Sequence, residues 1–112
     1  MFYKLEGKDV IEVSIEELVG LGRSPIVSLK RTELSSGMVS TSFLGLDHSF
    51  GGNEPVLFET MYFPKDRDGE EQIRYTTYDD AIKGHDNLVR RIKRDQGGLK
   101  NKGLLEDSLF EI

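Results

Sequence analysis

Apolar and polar positions change period several times along the 112-residue chain, and each change predicts an element. Phe2-Tyr3-Lys4-Leu5 and Val10-Ile11-Glu12-Val13 bracket Glu6-Gly7-Lys8-Asp9, which reads as two short strands around a glycine turn. Ser14, with Glu17 three residues on, forms a capping box and predicts a short helix over residues 15–19. Gly20, Gly22 and Pro25 cannot sustain that helix. Residues 26–33 alternate, with Val27 and Leu29 facing one way and Ser28, Lys30 and Thr32 the other, the pattern of a half-buried strand. Ser35-Ser36-Gly37 turns the chain into a second strand over residues 38–46. Residues 56–63 are apolar at nearly every position except Glu59 and Thr60, which predicts a central strand buried on both faces. A charged loop over residues 64–72 then leads to a returning strand at 73–76, a third antiparallel pair.

From Thr77 the period becomes helical. Thr77-Tyr78-Asp79-Asp80 is a capping pattern whose acidic residues suit the positive end of a helix. Ala81, His85, Leu88 and Ile92 recur at i, i+4, i+7 and i+11, and Ile82 and Val89 widen the stripe. Basic residues fill the last turns, and Gly97-Gly98 predicts the end of a helix spanning about residues 78–95. The expected architecture is therefore α+β: an antiparallel sheet of five or six strands, one long amphipathic helix across a face, and a short helix near 15–19. Residues 1–98 form a single domain in this reading. The tail, residues 99–112, carries Leu104, Leu105, Leu109, Phe110 and Ile112, so it either packs back or contacts a second copy.

Composition narrows the function classes. Hydrophobic residues make up 37% and charged residues 31%, a thin core for which homodimerisation is a natural supplement. There are no cysteines, which removes disulfides, thiolate metal sites and cysteine catalysis. No basic-then-apolar leader opens the chain, and no apolar run approaches the ~18 residues of a membrane span. A cytoplasmic protein without a membrane partner is expected. The net charge of −5 gives no global basic field and argues against nucleic acid as a partner. Lys83, Arg90, Arg91, Lys93, Arg94, Lys100 and Lys102 nonetheless cluster late, either to meet phosphates locally or as the solvated face of a helix.

Chemically capable residues concentrate in Gly45-Leu46-Asp47-His48-Ser49-Phe50-Gly51-Gly52-Asn53. Asp, His and Ser adjacent in sequence point in divergent directions, unlike a catalytic triad, and no G-x-S-x-G elbow is present. The glycines match neither phosphate-loop pattern, but they let backbone amides approach an anion or polar ligand. The loop is either a compact surface turn with His48 bonded to backbone or the rim of a pocket. His85 stands on the apolar stripe where a leucine is expected, either as a satisfied core residue or as a ligand. Gly84 beside it weakens the helix by ~1 kcal/mol relative to alanine, which suggests a close approach to the backbone. Glu59 interrupts an apolar strand and must either have a partner, for which His85 is the candidate, or line a cavity. Glu59, His85 and His48 together form a candidate polar cluster, but without an i, i+4 histidine pair no metal or other cofactor is expected. The loop Asp66-Arg67-Asp68-Gly69-Glu70-Glu71 lacks the ligands of a calcium loop and reads as a hairpin tip.

Three blocks, VSTSFLGLDHSFGG, PVLFETMYF and RYTTYDDAIKGHDNLV, resemble successive motifs of a small protein family encoded in bacteriophages and prophages. The resemblance covers roughly residues 39–89 and includes Asp47, His48, Phe50, Gly51, Glu59, Arg74, Tyr75, Gly84 and His85. The chain departs from the family pattern at Tyr78, where tryptophan is common, and in the tail. The family has no assigned activity, so the resemblance implies a viral setting, the host cytoplasm, and no reaction. It points to an accessory protein without catalytic activity that binds a host protein or a small nucleotide-like ligand, as an inhibitor of host defence does. The ligand contacts expected on that reading are Asp47, His48, Phe50, Gly51, Glu59, Arg74, Tyr75 and His85, with Lys83 also placed for phosphate. A small hydrolase using His48, His85 and Glu59, or a virion component assembled through its tail, are the alternatives.

Overall fold

The computed structural model describes residues 2–22, 24–49, 54–66 and 71–103, with side chains described as far as residue 95. Its elements are β1 (Phe2–Glu6), β2 (Asp9–Val13), α1 (Ile15–Gly20), β3 (Val27–Leu34), β4 (Gly37–Phe43), β5 (Phe58–Pro64), β6 (Glu71–Tyr75) and α2 (Tyr78–Gly103). The architecture is α+β, as expected. The six strands divide into two antiparallel sheets, a β1–β2 hairpin and a four-stranded meander in the order β3-β4-β5-β6. All three expected hairpins form.

Local signals account for the helix starts. The Ser14 hydroxyl accepts from the Glu17 amide at 3.1 Å, and the Thr77 hydroxyl accepts from the Asp80 amide at 3.1 Å. The end of α2 differs from the sequence expectation, because the helix passes through Gly97 and Gly98 to Gly103. A glycine weakens a helix interior by ~1 kcal/mol without forbidding it, and here the helix continues. Residues 104–112, and with them the apolar part of the tail, lie outside the described residues, as do the tip of the calcium-like loop at 67–70 and Phe50 and Gly51.

One face of the four-stranded sheet carries α2, with the β1–β2 hairpin docked near the start of that helix. Strand alternation decides which residues meet it. In β4 the buried positions are Gly37, Val39, Thr41 and Phe43, and in β5 they are Phe58, Thr60 and Tyr62. Leu34, Val39 and Tyr62 pack with Leu88 and Ile92 at one end. At the other end Phe43, Leu57 and Phe58 pack with Ala81, joined by Tyr3, Leu5 and Val10 from the hairpin. Lys8 spans the junction, 3.5 Å from the Asp79 carboxylate and over the ring of Tyr78.

Two strand expectations are corrected. β5 is central in the order, but only alternate residues are buried, and Glu59, Met61 and Phe63 lie on the face away from α2. Its neighbours have polar outward residues (Ser40, Ser42, Gln72 and Arg74), so a two-layer domain leaves that face open. In β3 the register shifts between Ser28 and Lys30, which places Leu29 as an extra residue. The bulge inverts the alternation beyond it. Lys30 pairs with Thr41 and Thr32 with Val39, so both turn toward the helix rather than away from Val27 and Leu29.

Candidate functional site

The bulge, β4, β5 and α2 together build a polar layer inside the core. Thr41 lies between Val39 and Phe43, Thr60 between Phe58 and Tyr62, and His85 between Ala81 and Leu88; all three polar residues are 0% exposed. The Thr41 hydroxyl is 2.7 Å from His85 Nδ1 and 2.5 Å from the Thr60 hydroxyl. The Thr32 hydroxyl is 2.8 Å from His85 Nε2. Both ring nitrogens are thus occupied, as a buried imidazole requires. Burial holds the histidine below its usual pKa, and nearby Lys30 adds to the shift, against the weaker opposing pull of Asp86. Lys30 itself is tied to Asp86 at 2.6 Å above this layer. A neutral, buried and fully bonded imidazole has no face for a substrate. His85 is a core residue here, and its partners are threonines rather than Glu59.

Glu59 faces the opposite side of the sheet. It accepts from Gln72 Nε2 at 2.5 Å and from Arg74 Nε at 3.2 Å, both on the neighbouring strand β6. The sheet therefore separates Glu59 from His85, and the expected cluster of Glu59, His48 and His85 does not assemble.

The described part of the glycine loop is closed around Asp47. Its carboxylate accepts from the Ser49 amide at 2.8 Å, the Val56 amide at 2.9 Å and the Ser49 hydroxyl at 3.0 Å. Backbone bonds from Val56 and Ser49 hold its pKa below the ordinary aspartate value. Asp47 thus pins both ends of the loop. His48 Nδ1 lies 2.7 Å from the Leu46 carbonyl oxygen, and its amide donates to the Val56 carbonyl at 2.9 Å. Gly45 has φ +78°, and a Cβ there would lie 2.8 Å from Pro25 Cβ, so the turn and its packing both demand glycine. These contacts fit the compact-turn reading.

Polar capacity is left over on the β6 side of α2. Gly84, Asn87, Arg91 and Arg94 recur at i, i+3, i+7 and i+10 along the flank that borders β6. With Ile73, Tyr75, Leu88 and Arg90 they line a groove of about 530 Å³. A second groove of about 400 Å³ adjoins it, lined by Arg74, Tyr75, Thr76, Asp80, Lys83, Gly84 and Asn87. Tyr75 lies directly over Gly84, as the glycine suggested: a Cβ on Gly84 would lie 2.0 Å from the Tyr75 hydroxyl oxygen. That hydroxyl is buried and has no hydrogen-bond partner among the described residues. Arg91 pairs with Glu71 at 2.5 Å, and Arg90 donates to the Asn87 side chain.

Of the residues expected at a site, Arg74, Tyr75 and Lys83 come together at this groove. Asp47, His48, Glu59 and His85 are placed elsewhere. Asn87, Arg90, Arg91 and Arg94 had only the signal of a charged helix flank, and recognising them as groove residues needs the position of β6. Among the described residues no three His, Asp or Glu side chains gather as a metal site, and no helix is long and apolar enough to cross a membrane. Comparison with protein-family models, curated proteins and solved structures returns no match to this chain.

Proposed function

We propose that the chain is a non-catalytic binding protein, a bacteriophage-type accessory factor that holds a nucleotide-type anion of the host cytoplasm in the groove between β6 and α2. One observation carries the reading: Arg74, Tyr75 and Lys83 share that groove with Arg90, Arg91 and Arg94 in a chain of net charge −5. A local basic concavity on an acidic protein focuses anion binding where global attraction is absent. Arginine forks suit phosphate, and an aromatic side chain offers base contact. Sequestration of a nucleotide signal is the corresponding anti-defence role. The hydrolase alternative has less support, because its three acid–base residues sit on different faces and segments. Calorimetry of the full chain with cyclic nucleotides and ADP-ribose derivatives tests the reading. Binding that Arg90→Glu/Arg94→Glu abolishes is expected; no heat with any of these ligands rejects it.

A further inference from the structure

The groove is divided, and the division bears on what fits it. Tyr75, Gly84 and Asn87 belong to both lobes, so the phenol lying on Gly84 forms a low partition between them. Each lobe keeps a cation that no carboxylate of the described residues contacts closer than 4.0 Å. In the larger lobe the side-chain hydrogen bond of Arg90 among the described residues goes to a neutral amide, with the Asp86 carboxylate one turn away acting on it through space, and Arg94 is 4.0 Å from its neighbour Asp95. In the smaller lobe Lys83 has no ion-pair partner among the described residues, whereas Arg74 there is tied to Glu59 and Arg91 in the larger lobe to Glu71. Lys83 and Arg90 are separated by two helical turns, about 10 Å along the axis, a span that two long, mobile side chains close onto groups nearer together. Asp80 stands in the smaller lobe and disfavours a dense negative charge there, so that lobe suits one phosphate and not a contiguous polyphosphate. At the partition the buried Tyr75 hydroxyl has unused hydrogen-bonding capacity.

Resting on the binding function proposed above, we infer that the ligand is a dinucleotide with two separated phosphates, one held by Lys83 and the other by Arg90 and Arg94, its sugars crossing the Tyr75–Gly84 partition. A mononucleotide engages one lobe only. The two lobes then act as linked sites, and occupying both raises affinity beyond either alone.

Calorimetry on the full chain with cyclic di-AMP, 3′,5′-cyclic AMP and inorganic phosphate tests this, with thermal melting as the control for folding. The cyclic dinucleotide is expected to bind at least about tenfold more tightly than the cyclic mononucleotide. Lys83→Ala and Arg94→Ala should each weaken it about tenfold, the loss of one charge-assisted phosphate contact, with unchanged melting. Equal affinity for mono- and dinucleotide, or dinucleotide binding insensitive to Lys83→Ala, overturns the two-lobe inference while leaving the groove as the binding site. Failure of all three probes to bind overturns the two-lobe inference itself; if the ADP-ribose series also fails, the binding function falls with it.

Discussion

The two flanks of α2 treat polar residues in opposite ways. Toward the sheet, His85 is sealed with Thr32, Thr41 and Thr60, and both its nitrogens are used. Toward β6, Tyr75 keeps a buried hydroxyl without a partner among the described residues, and Lys83, Arg90 and Arg94 line the groove without a close ion pair there. The difference shows that residue type is a poor guide to a site. Histidine is the more reactive side chain, yet saturation makes it a packing element, and the ordinary arginines beside it retain capacity for a ligand. The polar layer has a second consequence. It sits between two apolar clusters, so any slip of β4 or β5 by one residue takes Thr41 away from His85 or Thr60 away from Thr41 and buries unpaired groups. The layer therefore fixes register.

The contrast can be broken most forcefully at His85. His85→Ala removes a fully buried ring and takes from Thr32 its histidine partner and from Thr41 one of its two, and a loss of about 3–4 kcal/mol in denaturant unfolding is expected. Retained stability would show that the layer is not a structural pin. Gly84→Ala comes next: the new methyl displaces the Tyr75 ring, which outweighs the ~1 kcal/mol gain in helix propensity and leaves a net loss of about 1–2 kcal/mol. The Tyr75→Ala background should reverse the sign of that substitution, since only the propensity gain then remains.

Asp47→Asn tests the loop clamp and should lower the melting temperature by less than His85→Ala does. Asp47 has a depressed pKa in the fold, so its contribution is present above the unfolded aspartate value, near 3.9, and fades as pH falls through the folded one. His85 follows the other depressed-pKa case. The unfolded chain takes up its proton near pH 6.5 while burial keeps the folded imidazole neutral to lower pH. Stability is then complete above about 6.5 and declines below it, down to the folded pKa, and a His85→Leu variant should lose that slope in pH-dependent melting. The smallest stability effect is expected in the groove. Arg94→Ala should change unfolding by no more than about 0.5 kcal/mol, as surface substitutions do, while nucleotide affinity falls. A large stability loss there would make the arginine structural and erase the contrast between the flanks.

Much of this molecule follows from local rules. The three hairpins, the caps at Ser14 and Thr77, the buried line Ala81–His85–Leu88–Ile92 and the close approach at Gly84 all lie in the chain itself, because propensity, capping and periodicity act over a few residues. Tertiary structure alone decided the bulge at Leu29, the side of the sheet that Glu59 takes, the threonine partners of His85 and the groove that gathers Arg74, Tyr75 and Lys83. Those features depend on how strands far apart in sequence register against one another and against α2. Thr32 and His85, for example, are 53 residues apart. A single extra residue in β3 turns Thr32 inward, and periodicity read along one strand has no access to the partner strand that sets such a shift.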